Sequence, residues 1–182
     1  MQEVRCTYSL TAQVDIAQAQ AVRSASGARF YPSMLHAIAF CVNQFEAFRY
    51  GYDAEGNLGL WDEMNPSYTV FHEDDKTFSS LWTAYTREFG AFHEAFEDDI
   101  EAFGNIHAFR GKPDEPPNTF SVSRLPWTHF NEMNLNAYGE RTYLAPVFRF
   151  GKYANEGSQI LMPVATQAPP ARLLSHSPCS AY

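Results

Sequence analysis

Cysteine is scarce: Cys6, Cys41 and Cys179 are the only three in 182 residues. An odd count with no Cys-x-x-Cys pair argues against a disulfide framework. No Cys/His spacing suits zinc, so no metal is expected. Positive charge is also short. Lys and Arg number 13 against 21 Asp and Glu, a formal net charge of −8. Nucleic acid needs a basic footprint, so it is excluded as a partner, and so are anionic membrane surfaces. Nowhere does the chain run apolar for the roughly 18 residues that a bilayer span requires. Met1-Gln2-Glu3-Val4-Arg5 lacks the apolar stretch of a secretory signal. These absences predict a cytoplasmic protein, and no internal repeat is visible.

What the chain has in quantity is rings. Its 15 Phe and 10 Tyr suit an aromatic core or pocket and not a disordered chain. The length is enough for one domain with a sizeable core. Residues 6–10 alternate apolar and polar, the mark of a half-buried strand. Asp15 is placed to cap a helix over 16–23, and Gly27 to close it. Pro32 stands early in a second helix whose Met34, Leu35, Ile38 and Val42 recur at helical spacing. Cys41 in that run is expected to be buried filler. A turn at 53–57 joins short strands at 48–52 and 58–61, and 67–72 is a further strand.

Phe78, Leu81, Trp82, Tyr85, Phe89, Phe92, Phe96, Ile100 and Phe103 then follow at spacings of three or four, apart from the adjacent Leu81–Trp82. This predicts one long amphipathic helix with Thr77 as its N-cap. After a loop at 111–117 come strands at 119–123, 143–153 and 159–165. The order predicts an α+β fold, a mixed and largely antiparallel sheet covered by helices on one face. Residues 168–182 carry three prolines and no period, and are expected to be an irregular tail.

Six histidines are scattered, none in a nucleophile elbow, a zincin helix or a ligand cluster. His36 reads as a hydrogen-bonded structural histidine. His72 beside Glu73 reads as a structural residue or, with less support, a switchable pair. Asp74-Asp75 and Asp98-Asp99 read as solvated charges.

Several ordered motifs go further. Phe30-Tyr31-Pro32 precedes a helix, and Trp61-Asp62 follows. Next come Tyr68-Thr69-Val70-Phe71-His72-Glu73 and Thr77-Phe78-Ser79-Ser80-Leu81-Trp82. Then come Ser121-Val122-Ser123-Arg124-Leu125-Pro126-Trp127, Asn134-Leu135-Asn136, Ala145-Pro146-Val147-Phe148 and Gly151-Lys152-Tyr153. This collinear set, from about Cys6 to Gln167, resembles the trimeric chloramphenicol O-acetyltransferases. The resemblance implies a coenzyme A-dependent acyltransferase-like fold and a cytoplasmic homotrimer with active sites between subunits. It also implies acetyl transfer from acetyl-coenzyme A to the 3-hydroxyl of chloramphenicol, an antibiotic-resistance reaction.

In that family a histidine takes the alcohol's proton and a serine donates to the oxyanion. The serine position is Ser123 here. The resemblance puts Cys6, Tyr8, Phe78, Leu135 and Val147 around the antibiotic. It puts Tyr31, Trp127, Lys152 and Tyr153 along the coenzyme A tunnel.

Three departures accompany the resemblance. The family's base lies in a His-His-x-x-x-Asp-Gly signature just after the position of Gln167, where this chain has Ala168-Pro169-Pro170. His176 stands several residues too late to replace it. The domain is therefore expected to run over 1–167, with a frame-shifted or altered tail over 168–182. The family's first strand and helix, which precede the Cys6 strand, have no counterpart, which reads as an N-terminal truncation. Arg149 occupies a position where the family usually has a threonine near the substrate. The expectation is a ligand-binding protein for chloramphenicol or flat aromatic molecules, impaired in catalysis. The alternatives are residual acetyl transfer and a structural oligomer without ligand.

Overall fold

The computed structural model describes residues 8–134 and 144–168. The elements run β1 (Tyr8–Asp15), α1 (Ala17–Ser26), α2 (Phe30–Gln44), β2 (Tyr50–Tyr52), β3 (Leu58–Leu60), β4 (Asn65–Phe71) and β5 (Phe78–Trp82). They continue α3 (Phe89–Phe103), β6 (Thr119–Leu125), β7 (Val147–Gly151), β8 (Ala154–Glu156) and β9 (Gln159–Ala168). The main sheet has the order β1-β9-β7-β6-β4-β5, with β8 hairpinned onto β9. The β4–β6 and β6–β7 pairs are parallel and the other pairs antiparallel. The α+β class and the mixed sheet are as the sequence predicts.

Local chemistry sets the element ends. Asp15 accepts hydrogen bonds from the backbone N–H of Ala17 at 3.0 Å and of Ile160 at 3.2 Å. These bonds hold its carboxyl below the usual range. One carboxylate thus starts α1 and ties β1 to β9, although the cap position itself is Ile16. Gly27 closes α1 in the left-handed region at φ 70°, where a Cβ would be strained.

The predicted helix over 78–103 is two elements. Its first five residues form β5, paired with β4 from Phe71↔Phe78 to Ser67↔Trp82. Thr77 caps nothing; its N–H and hydroxyl both donate to Asp75. The run Phe78-Ser79-Ser80-Leu81-Trp82 fits a period of two as well as one of three to four, with Ser79 and Leu81 buried inward. Only beyond Glu88 does the helical spacing hold, and α3 buries Phe92 and Phe96.

The core lies between the helices and one sheet face. Leu35, Ile38, Ala39 and Val42 of α2 and Phe92 and Phe96 of α3 meet Tyr68, Leu81, Phe120, Val122, Phe150 and Met162 of the sheet. Cys41 points away from this core and is exposed, because Leu35, Ile38 and Val42 define the buried stripe of α2 and position 41 falls outside it. The segment around Arg110 covers the outer edge of β5. There Ser80 N–H donates to Phe109 O and Gly111 N–H to Ser80 O, both at 2.9 Å.

Asp99, expected as a solvated charge, is instead enclosed. It accepts from Thr83 Oγ1 at 2.7 Å and Lys112 Nζ at 2.6 Å, and Thr83 Oγ1 also meets the Tyr68 hydroxyl at 2.9 Å. No helix among the described residues is long and apolar enough to cross a membrane.

Candidate active site

In a pleated sheet, residues paired across strands share a face. Ser123 pairs with Arg149, Arg149 with Ala165, and Ala165 with Thr11. The alternate residues Val122, Phe150 and Met162 face the helices. Ser123 and Arg149 therefore stand on the face away from the helical core. Ser67 pairs with Ser121, and Phe71 with Phe78, so the same face also carries Ser67, Thr69 and Phe71 of β4 and Phe78 and Ser80 of β5. The result is a transverse row of small hydroxyls interrupted by one guanidinium.

Rings stand at one end of this row. Phe71 lies 5.0 Å from Phe78 and 5.3 Å from Trp127. Phe78 is 45% and Trp127 54% exposed, so two of the three rings are open to a partner. The loop after β6 crosses the opposite end. Phe130 O accepts from Gln13 Nε2 and Met133 N–H donates to Thr11 Oγ1. At Gly151 an added Cβ would sit 2.7 Å from Thr128 O and 2.8 Å from both the Phe130 ring and Pro163. Only glycine admits that close approach.

The residues expected at the site separate into groups. Ser123, Phe78, Trp127 and Val147 share this face. The Ser123 hydroxyl makes no hydrogen bond with another described residue, which leaves it available to a ligand. Tyr8 is exposed, but its parity on β1 puts it on the other face, opposite Ala168. Tyr31 packs into the helix-side core. Its hydroxyl donates to Thr69 O at 3.0 Å and its ring meets Tyr68 and Phe96 edge-on. Burial pushes its phenol well above the ordinary range.

Lys152 and Tyr153 follow β7 and are exposed, with Tyr153 5.6 Å from Phe30. Arg124 bridges that corner, 5.3 Å above the Phe30 ring, and burial lowers its pKa. Cys6 and Leu135 lie outside the described residues, as do residues 169–182. Phe71, Thr69 and Ser80 were not anticipated as site residues. The period-two alternation of 67–71 was the available signal.

Of the described histidines, His129 lies in the loop over this face, where its Nδ1 donates to Lys152 O at 2.9 Å, and none forms a hydrogen bond with Ser123. His36 is a structural residue, its Nε2–H donating to Thr86 O at 3.1 Å. His72 pairs with Ser79 Oγ at 3.0 Å, not with Glu73, and its ring stacks on His107 at 3.9 Å. His107 Nδ1 is 2.7 Å from Asp75, and its Nε2 lies 3.8 Å from Asp74. The Asp75 hydrogen bond raises the His107 pKa. Hydrogen bonds from Thr77 and then His107 hold Asp75 far below the carboxylate range. His72, His107 and Asp74 line an open cavity of about 470 Å³ beside α3, on the helix side of the sheet and away from Ser123.

The model of the chloramphenicol acetyltransferase family matches residues 1–179. The chain belongs to that family. Chloramphenicol acetyltransferases of Clostridium butyricum and Clostridium perfringens are 43% and 41% identical to it over 182 and 179 residues. Those alignments cover 100% and 98% of this chain and 80% and 79% of the relatives. A solved chloramphenicol acetyltransferase superposes with a TM-score of 0.78 at 20% identity, covering 91% of this chain and 79% of that one. The dihydrolipoamide acetyltransferase of Azotobacter vinelandii superposes at 0.66 with 13% identity, covering 93% and 75%. Both share the coenzyme A-dependent acyltransferase fold, as the sequence resemblance implies. The family match runs on past Gln167, where the sequence alone suggested a boundary.

Proposed function

We propose that the face carrying Ser123 is the acceptor half of an acyl-transfer site that binds chloramphenicol or another flat aromatic molecule, with acetyl transfer strongly impaired. The observation that carries this reading is an unengaged Ser123 hydroxyl on the same sheet face as the open rings of Phe78 and Trp127, in a chain of this family. Aromatic walls of that kind draw affinity from burial and stacking. Acetyl-coenzyme A is the family's co-substrate. Lys152 and Tyr153 are exposed and free to meet it; Trp127, expected along the same tunnel, stands against Phe71 in the ring wall, and Tyr31 would serve only through the packing of its neighbours.

Impairment rests on the last residue of β9 and the two that follow it. Ala168-Pro169-Pro170 stand where the family's imidazole base belongs, and no described histidine contacts Ser123. Without a base the alcohol keeps its proton as it attacks the thioester, a loss of roughly 10²–10⁴-fold. A thiol-release assay with acetyl-coenzyme A and chloramphenicol tests this. We expect turnover at least about 10²-fold below a complete family member, with Ser123→Ala changing it little. Full turnover, or a large drop in Ser123→Ala, would show that another group serves as base. We also propose that the chain assembles as the family's homotrimer; exposed Tyr8, Leu10 and Val14 on β1 are compatible with burial by a neighbour.

A further inference from the structure

Arg149 is 7% exposed and sits in the middle of the hydroxyl row. No carboxylate, carbonyl or ring among the described residues meets its guanidinium. Its neighbours across the strands are Ser123 and Ala165, neither of them an anion. Burial alone lowers its pKa, with no acidic group offsetting it. A largely desolvated cation without a protein partner is unfavourable, and a ligand can supply the partner that the described fold does not.

The surroundings define that ligand. Among the described residues Arg149 is the one cation in the middle of this row: Lys76 is tied to Glu73, Lys112 to Asp99, Lys152 is exposed beyond the strand, and Arg110 lies at the far edge beside Ser80. A single guanidinium fits one planar carboxylate in a two-pronged hydrogen bond; a phosphate dianion would call for more positive charge. Arg149 is two strands across and two residues along from Phe71, about 12 Å at the usual strand spacing and rise. The exposed rings of Phe78 and Trp127 lie alongside Phe71. We infer that this face selects a flat aromatic carboxylic acid, its carboxylate on Arg149 beside Ser123 and its rings on Phe78 and Trp127. The inference rests on reading this face as the acceptor site, and it assigns that site an anionic class of ligand.

The test is calorimetry on the full chain with biphenyl-4-carboxylate, the neutral biphenyl-4-carboxamide and chloramphenicol. We expect the carboxylate to bind at least roughly tenfold tighter than the amide, the range of a charge-assisted hydrogen bond. Arg149→Gln should erase that preference, Arg149→Lys should keep part of it, and Phe78→Ala should weaken both probes. Equal affinities for acid and amide, a preference that survives Arg149→Gln, or indifference to Phe78→Ala would overturn the inference. Chloramphenicol binding without any carboxylate preference would sink the inference and leave the acceptor site standing. No binding of any of the three would sink both. Should Arg149→Gln fail to fold, the acid-to-amide ratio in the unaltered chain decides alone.

Discussion

Replacing Lys112 by Met should unfold this protein far more readily than its place in a loop suggests. The side chains of Lys112 and Asp99 are only 15% and 13% exposed, and Nζ lies 2.6 Å from the carboxylate. Nζ also sits 3.9 Å above the Trp82 ring, a contact worth about 0.5–2 kcal/mol. Methionine keeps much of the stem's packing but strands Asp99 with the Thr83 hydroxyl as its one remaining donor. Breaking one side of an enclosed pair costs about 3–5 kcal/mol. For a domain of this size that corresponds to a fall in Tm of roughly 6–20 °C. Urea denaturation of Lys112→Met, Asp99→Leu and the double variant reads it directly. The double variant should lose less than the sum of the singles, because removing both charges leaves none stranded. A loss under about 1 kcal/mol in Lys112→Met, the scale of an exposed pair, would show that water reaches the carboxylate and that the enclosure argument is wrong.

Gly151→Ala should cost about 1–3 kcal/mol, because its Cβ meets the Thr128 carbonyl and the Phe130 and Pro163 rings at 2.7–2.8 Å; unchanged urea midpoints would show that the loop over this face yields freely. The raised pKa of His107 gives a stability contribution that is complete below its unfolded value near 6.5 and is lost as pH rises through the folded value. The depressed pKa of Asp75 gives one that is complete above about 3.9 and is lost only in stronger acid. The pair therefore helps most between about pH 4 and 6.5, and Tm profiles of His107→Gln and the unaltered chain should converge above neutrality; a constant offset would refute the linkage. Light scattering across a concentration series should give a trimer, and monomer throughout would count against that assembly.

The sequence revealed the elements whose pattern had one interpretation. Gly27 after an amphipathic run, the turn at Asp53 to Asn57 and the alternation leading to Phe71 each matched a single local structure. It misled where two periods coincide, as in Phe78 to Trp82, whose strand character comes from pairing with β4 and not from its own spacing. Cys41 and Asp99 were misjudged for a related reason. Burial of a single position depends on which helix face docks and what loop returns over it, and Lys112 arrives from 13 residues away. For the candidate site, family motifs pointed to Ser123, Phe78 and Trp127; the registers put Ser123 and Phe78 on one sheet face, and a ring contact puts Trp127 beside Phe71. That Arg149 meets no partner among the described residues is not readable from residue order, since its neighbours are decided by strand register.

The register of β1 against β9 carries a consequence for biosynthesis. Tyr8 pairs with Ala168 and Asp15 with Leu161, so β1 emerges from the ribosome roughly 150 residues ahead of its described partner. At ordinary elongation rates that interval is roughly 10–30 s. Throughout it, a strand bearing Leu10 and Val14 has both hydrogen-bonding edges open. The nascent chain is thus most vulnerable to chaperone capture and misassembly at its first described strand, and one of that strand's two edges is closed only when the last described strand is made.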